Sequence, residues 1–361
     1  MIIIICVVGV VVLLIILCAC IFICRRRFLL RKKVKDIIQI SNHQNSKDQE
    51  TDEWELTWDD LLTKNQQLGT GAYGQVLKGV LLEKSRHIVR DKYNEVAIKM
   101  PQRYADEGIK KRFLNEIQLT KLITGHNNIV KMLGCITVGE RICLVLEFCS
   151  YCDLLHLKKS LQFNLLQNAN QTIKEFLIFA WQISHGMQFL TSEGIIHRDL
   201  AARNILIDCD KTAKISDFGL CVQINDKHEN SPSKNILILK TGKLPIKWLA
   251  IESLKNAEFS FKSDVWSFGM VLYEMLSFGE IPFCNVQPEM LIEHLEEGKR
   301  PNKPDLCSNE IYSIMQQCWD ETPSSRPSFD ELITTFKVFL EHATKGYGYL
   351  DLLKSQTPST D

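Results

Sequence analysis

The 361-residue sequence lacks a net charge: its 43 lysines and arginines balance 43 aspartates and glutamates. No global basic field is present to hold a phosphate backbone, so nucleic acid is not an expected partner. No internal repeat is evident, which excludes a solenoid or propeller array. A disulfide framework is missing too. Of the thirteen cysteines, Cys6, Cys18, Cys20 and Cys24 lie in an N-terminal apolar run, and the rest are scattered through a stretch expected in reducing cytosol. Cys149 and Cys152 make one C-x-x-C with His156 nearby, but no second ligand pair accompanies them, which argues against a zinc or redox site. Asn170-Gln171-Thr172 matches a glycosylation sequon and, facing cytosol, is expected to be bare.

What is present begins with Ile2 to Cys24, an uncharged run. As a helix it measures about 35 Å, enough to cross the ~30 Å hydrocarbon layer of a bilayer. Arg25, Arg26, Arg27, Arg31, Lys32, Lys33 and Lys35 follow at once, and the positive-inside rule puts that end in the cytosol. A cleavable signal peptide is the rival reading, but its charges precede a shorter apolar core, whereas only Met1 precedes this one. The basic run suits anionic inner-leaflet lipid, at about 1 kcal/mol per residue near the surface, and serves equally as a stop-transfer signal. Cys18, Cys20 and Cys24 are candidates for palmitoylation, or simply apolar membrane residues. The expected layout is a single-pass transmembrane helix at 2–24 in the plasma membrane, with the chain beyond it in the cytosol, starting with a juxtamembrane segment at 25–60 that is polar from 36 to 53.

Two short stretches carry the chemistry. H-R-D-L-A-A-R-N spans 197–204, and D-F-G follows at 217–219. This pair suits phosphoryl transfer, in which a loose transition state leaves the enzyme mainly to orient the acceptor hydroxyl and neutralise phosphate charge. Asp199 is the candidate to accept the hydroxyl proton, and Arg203 adds a cation nearby. Asn204 and Asp217 offer hard oxygen ligands of the kind magnesium takes while bridging nucleotide phosphates.

Upstream, Gly69, Gly71 and Gly74 form G-x-G-x-x-G, where missing side chains let backbone amides approach phosphates. Alone that pattern is weak. Val76, Leu77 and Val80 beside it read as strand, which predicts a hairpin instead of the strand-to-helix turn of a dinucleotide fold. V-A-I-K at 96–99 then ends an apolar strand in Lys99, the candidate partner of the nucleotide phosphates. Between Glu107 and Ile123, Ile109, Phe113, Ile117 and Thr120 recur at helical spacing. Glu116 lies beside that stripe and is the expected ion-pair partner of Lys99.

With these residues in place, the chain from Trp54 to about Leu340 resembles the protein-tyrosine kinases. Within them it is most similar to receptor tyrosine kinases with platelet-derived and vascular endothelial growth factor receptor-like domains. The resemblance rests on W-E-L at 54–56, E-F-C at 147–149, L-P-I-K-W at 244–248, S-D-V-W-S-F-G at 263–269, C-W at 318–319 and R-P at 326–327. It implies an α+β two-lobed protein kinase fold over 61–341, with a β-rich N-lobe at 61–148 and a hinge and mostly helical C-lobe at 149–341. A short insert at about 158–172, an activation segment at 217–252 and a tail at 342–361 complete the layout. It implies ATP with magnesium, or manganese in its place, and a nucleotide site that adds Leu68, Val76, Ala97 and Leu206 to the glycines and Lys99. Leu146 would be the gatekeeper behind the adenine, with Glu147 and Cys149 giving hinge backbone hydrogen bonds.

The substrate class follows from two details. Where serine/threonine kinases carry a lysine two residues after the catalytic aspartate, Ala201 stands here and Arg203 carries the charge. Pro245 and Trp248 resemble the tyrosine-specific peptide platform, shallower and more distant because a tyrosine hydroxyl lies farther from its backbone. Expected partners are tyrosine-bearing protein substrates, membrane lipid, and a second copy or partner receptor. Tyr347 and Tyr349 are candidate autophosphorylation sites for phosphotyrosine-binding adaptors, or parts of a packed or sorting tail. A catalytically silent scaffold and a serine/threonine kinase are the competing readings. Met1 directly precedes the apolar run, so almost no ectodomain is expected: either dimerisation comes through the anchor or a partner, activity is constitutive, or the chain is a truncated product of a longer one.

Departures from the family lie in the regulatory segment. No tyrosine occurs between Asp217 and Glu252, where relatives carry phosphorylated ones. Aliphatic N-I-L-I-L-K at 235–240 cannot receive the charge that orders such loops. Either apolar packing of Ile236 to Leu239 holds the loop active, or Ser231, Ser233 or Thr241 switches it. The family's A-P-E reads Ala250-Ile251-Glu252, which keeps the glutamate that pairs with Arg326. Thr120 replaces an apolar residue of the internal spine, which predicts lowered activity. Tandem mass spectrometry of the fully active enzyme is expected to find no phosphate on Ser231, Ser233 or Thr241; stoichiometric phosphate there would favour the switched loop.

Overall fold

The chain's structure is a computed structural model that describes residues 52–71, 74–82, 95–102, 105–156, 169–224 and 244–344. The apolar run 2–24, the juxtamembrane residues before 52 and residues 157–168 lie outside these. So do 225–243, with Ser231, Ser233, Ile236 to Leu239 and Thr241, and the tail with Tyr347 and Tyr349. No helix among the described residues is long and apolar enough to cross a membrane.

The first lobe is built on one antiparallel sheet. Strands β1 (Leu61–Gly71), β2 (Gly74–Leu81), β3 (Glu95–Pro101), β4 (Met132–Ile136) and β5 (Cys143–Glu147) stand in the order β1-β2-β3-β5-β4. Alternation in β3 turns Val96, Ile98 and Met100 inward, onto Leu56, Leu61, Leu81 and Val145. Gly74 is needed for packing: a Cβ there would meet the Met100 carbonyl oxygen at 2.0 Å.

Helix α1 (Glu107–Ile123) lies on this lobe, and Asp106 caps its first turn by accepting the Ile109 N–H at 2.7 Å. Its stripe of Phe113 and Ile117 packs on Met132, Cys135 and Leu144. Thr120 is fully buried, and its hydroxyl donates to the Glu116 carbonyl oxygen one turn back, at 2.7 Å. The methyl can therefore pack without leaving the hydroxyl unsatisfied.

The second lobe is mostly helical. Helix α2 (Ala169–Ser192) leads to the short strands β6 (Ile195–Ile196), β7 (Ile205–Ile207), β8 (Ala213–Ile215) and β9 (Val222–Gln223). Then come α3 (Ile251–Asn256), α4 (Phe261–Leu276), α5 (Leu291–Glu296), α6 (Asn309–Cys318) and α7 (Phe329–Thr344). Phe176, Phe179, Ala180, Ile183, Met187 and Leu190 of α2, placed at helical spacing by the sequence, are all buried in one continuous core. Residues 169–172, expected in the insert, form instead the first turn of α2, where Thr172 is buried. Helix α4 starts at the Ser260 cap and is buried from Ser263 to Leu276. Apolar along most of its surface, it carries Asp264, Ser267 and Glu274 into the interior.

Arg326, whose side chain is completely buried, joins α3 to the segment before α7. It donates to both Glu252 oxygens, at 2.7 and 2.8 Å, and to the carbonyl oxygens of Asp320 and Lys262. The expected pairing with the glutamate of Ala250-Ile251-Glu252 is thus present. Removing one member of such a pair strands a buried charge. Glu252→Ala is therefore expected to lower unfolding free energy by about 3–5 kcal/mol in urea titrations, whereas Lys255→Ala on the exposed face of α3 shifts it by less than about 1 kcal/mol.

Candidate active site

The loop 197–204 runs from β6 to β7 and closes in a 3-10 turn at Ala202–Asn204. Its start is clamped from below. Both oxygens of the buried Asp264 accept backbone N–H groups, from His197 at 2.7 Å and Arg198 at 3.0 Å. Arg198 takes a left-handed conformation (φ 65°), and its Nε donates to the Leu220 carbonyl oxygen at 2.6 Å. Asp217, just past β8, has φ 63°. Two non-glycine residues in this sparsely occupied region flank one site, and surrounding hydrogen bonds hold both.

Asp199 and Asn204 are locked together. The Asn204 amide nitrogen donates to the Asp199 carbonyl oxygen at 2.7 Å. The Asn204 carbonyl accepts from the N–H and hydroxyl of Ser216, each at 2.9 Å, which fixes the loop against the residue before Asp217. The Asp199 carboxylate pairs with Arg203, whose guanidinium lies 4.9 Å from the centre of the Trp248 ring.

Across the cleft, Lys99 reaches both lobes. Its Nζ lies 2.5 Å from Glu116 of α1 and 2.9 Å from Asp217. Burial pulls the lysine's pKa down, but Asp217 and Glu116 outweigh it, so the ammonium is held more firmly than an ordinary lysine. The acids diverge. Lys99 keeps Asp217 below the usual carboxylate range, whereas burial pushes Glu116 up. Burial also raises Asp199 to about 6, partly opposed by Arg203, and lowers His197 to about 4, which leaves that imidazole neutral near pH 7.

Strand register brings the remaining expected residues to the same region. Val76 stands opposite Lys99, and Ala97 opposite Leu146. Leu68 and Gly69 lie on β1, with Leu68 exposed and open space around Gly69. Gly71 pairs with Gly74 at the hairpin end, and Leu206 is on β7. Of the three glycines, Gly74 thus answers to the Met100 carbonyl as well as to any ligand. At the hinge, the Glu147 N–H is already given to the Lys131 carbonyl, and its carboxylate pairs with Lys214 of β8 at 2.9 Å. Cys149 is buried, and burial pushes its thiol well up. Cys152 is exposed and His156 pairs with Asp153 at 2.7 Å, so these residues do not gather into a metal site.

An amide oxygen and an ionised carboxylate, on two loops tied by Ser216, suit a hard cation with phosphate ligands. Asn204 and Asp217 therefore fit the expected magnesium. Two functional side chains were not read from the sequence: Asp264, quoted only within its motif, and Glu274, whose surroundings in the sequence are those of an ordinary apolar helix.

Residues 62–336 match the protein tyrosine and serine/threonine kinase family. A Caenorhabditis elegans protein named as a tyrosine-protein kinase is 37% identical over 324 residues, covering 83% of this chain and 36% of its own. Fibroblast growth factor receptor 1 of Pleurodeles waltl is 34% identical over 310 residues, again 83% of this chain and 37% of its own. The chain thus spans little more than a third of the length of these relatives.

Because Glu116 supplies part of the charge that holds the Lys99 proton, Glu116→Gln is expected to lower the Lys99 pKa. Titration of its side-chain resonance by NMR reads this directly; an unchanged pKa would mean that Asp217 alone sets it.

Proposed function

The chain belongs to the protein tyrosine and serine/threonine kinase family, and on that premise we propose that it is a membrane-anchored protein-tyrosine kinase. It would transfer the γ-phosphate of ATP to tyrosine hydroxyls of protein substrates. The observation that carries this reading is the hydrogen-bonded unit of Asp199, Asn204 and Ser216, with Lys99 reaching the adjoining Asp217. Each group has one task in it. Asp199 orients the tyrosine hydroxyl and takes its proton, and Arg203 holds that carboxylate while offering positive charge to the phosphoryl group. Lys99, steadied by Glu116, holds the phosphates already bound along β1 and β2. Asn204 and Asp217 would hold magnesium, which when bound would neutralise phosphate charge.

Tyrosine is favoured over serine by Ala201, Arg203 and the platform at Leu244 to Trp248. Arg203 links the two halves of that argument, because it touches both Asp199 and the Trp248 ring. Anchoring is supported by the uncharged run 2–24 and the basic residues after it. The layout proposed is the helix 2–24, a juxtamembrane segment 25–60, the kinase domain 61–341 and a tail whose Tyr347 and Tyr349 dock adaptors once phosphorylated.

The full chain in lipid nanodiscs, given magnesium and ATP, is expected to phosphorylate a Glu/Tyr copolymer far above an Asp199→Asn control. No phosphotyrosine above that control would sink the reading, and labelling of serine peptides alone would transfer it to the serine/threonine class. Asp199 accepts a proton only when ionised, so kcat/KM for the peptide is expected to rise with pH through about 6. A kcat/KM flat from pH 5 to 8 would remove Asp199 as the base.

A further inference from the structure

Glu274 lies near the C-terminal end of α4, among Leu272, Tyr273, Met275 and Leu276, with 4% of its surface exposed. Burial raises its carboxyl pKa, so the fold bears a cost in keeping an acid there. Its contacts point to what that acid does. A single oxygen, Oε2, accepts two N–H groups from different segments: the Ala202 backbone at 2.8 Å and the Trp248 indole at 2.9 Å. Ala202 belongs to the loop that carries Asp199; Trp248 belongs to the peptide platform.

Trp248 is fixed on two further sides. Its carbonyl oxygen accepts the Ser267 hydroxyl at 2.9 Å, and the Arg203 guanidinium lies over its ring. Arg203 pairs in turn with Asp199. The result is a closed circuit from Asp199 through Arg203 and the Trp248 ring to Glu274, then back through Ala202 into the same loop. An exposed carboxylate would exchange these bonds with water. A buried one, with both donors on one oxygen, fixes the loop and the platform in a single register.

We propose that Glu274 is a positioning residue that sets the register between the peptide platform and the catalytic loop, and so governs engagement of the protein substrate. It touches neither nucleotide nor substrate and acts through Trp248 and Ala202. The inference rests on the kinase reading above. It concerns the peptide half of the site: the hydrogen bonds and ion pairs of Lys99, Glu116 and Asp217 join these three to one another and not to this circuit, although the charge of Asp217 is felt at Asp199.

The test is steady-state kinetics of the full chain in nanodiscs with a tyrosine peptide and magnesium-ATP. Glu274→Ala is expected to raise peptide KM about tenfold, the scale of losing one or two buried hydrogen bonds, with KM for ATP moving less than about twofold. Glu274→Gln keeps an oxygen that can accept both N–H groups and is expected to restore most of the peptide KM. Trp248→Phe removes the indole N–H, together with part of the ring, while keeping an aromatic face for Arg203. It is expected to raise peptide KM likewise, and the double variant should be no worse than the poorer single one. Equal rises in both KM values, or independent addition of the two effects, would overturn the proposal and leave Glu274 a core residue. If Glu274→Ala does not fold, Trp248→Phe and Glu274→Gln decide: unchanged peptide KM in Trp248→Phe, or loss in Glu274→Gln equal to a fall in kcat alone, overturns it. Failure of the kinase reading looks different, because then the unaltered chain itself labels no tyrosine above the Asp199→Asn control.

Discussion

Burial of α4 is the constraint on which the site depends. A helix enclosed on nearly all sides cannot shift without opening the core of the second lobe, so whatever it holds is held against the whole lobe's packing. It uses that rigidity through polar groups. Near its start Asp264 accepts two backbone N–H groups of the catalytic loop; one turn on, Ser267 holds the Trp248 carbonyl; near its end Glu274 binds Ala202 and the Trp248 ring. The loop's left-handed Arg198 persists because Asp264 and Leu220 tie it down on both sides. Precision at Asp199 thus comes from an apolar helix whose Asp264 lies 67 residues after His197.

The ion-pair centre works by a different balance. Lys99 is buried between two acids, and the asymmetry of their surroundings leaves Asp217 strongly anionic while Glu116 is burdened by desolvation. One acid sits on α1, a single helix resting on a sheet, and the other on a loop of the opposite lobe. A lysine shared in this way reports the closeness of the two lobes as an electrostatic quantity.

Much of this was legible in the sequence, for identifiable reasons. The α1 helix is legible at its observed bounds from the spacing of Ile109, Phe113, Ile117 and Thr120 alone; the Asp106 cap is a structural addition. The α2 stripe from Phe176 to Leu190 follows a period of 3.6 residues, and Val76, Leu77 and Val80 beside the glycines mark the β1–β2 hairpin. Lys99, Glu116, Asp199, Asn204 and Asp217 stand in the sequence in the order and spacing that suit phosphoryl transfer, and the fold links Lys99 to Glu116 and Asp217, and Asn204 to Asp199. What stayed hidden had no local signal. Glu274 is one acid in an otherwise apolar helix, and only three-dimensional placement reveals its two donors. The start of α2 was missed because Ala169 to Thr172 is polar and Asn-containing like the stretch before it, whereas tertiary packing of Thr172 extends the helix. Gly74 was credited to ligand approach alone, because the Met100 carbonyl that crowds it comes from a strand about twenty-five residues away.

Both ends of the stretch from Asp217 to Glu252 are anchored by charge: Lys99 holds the first, and the fully buried Arg326 holds the last. Between them, Leu220 accepts from Arg198, β9 pairs with β6, and Trp248 is tied to Ser267 and Glu274. In evolutionary terms, these tied positions are where substitution is costly, because each belongs to the site as much as to the segment. A lineage that replaced Trp248 would have to rebuild the catalytic loop's support beside it.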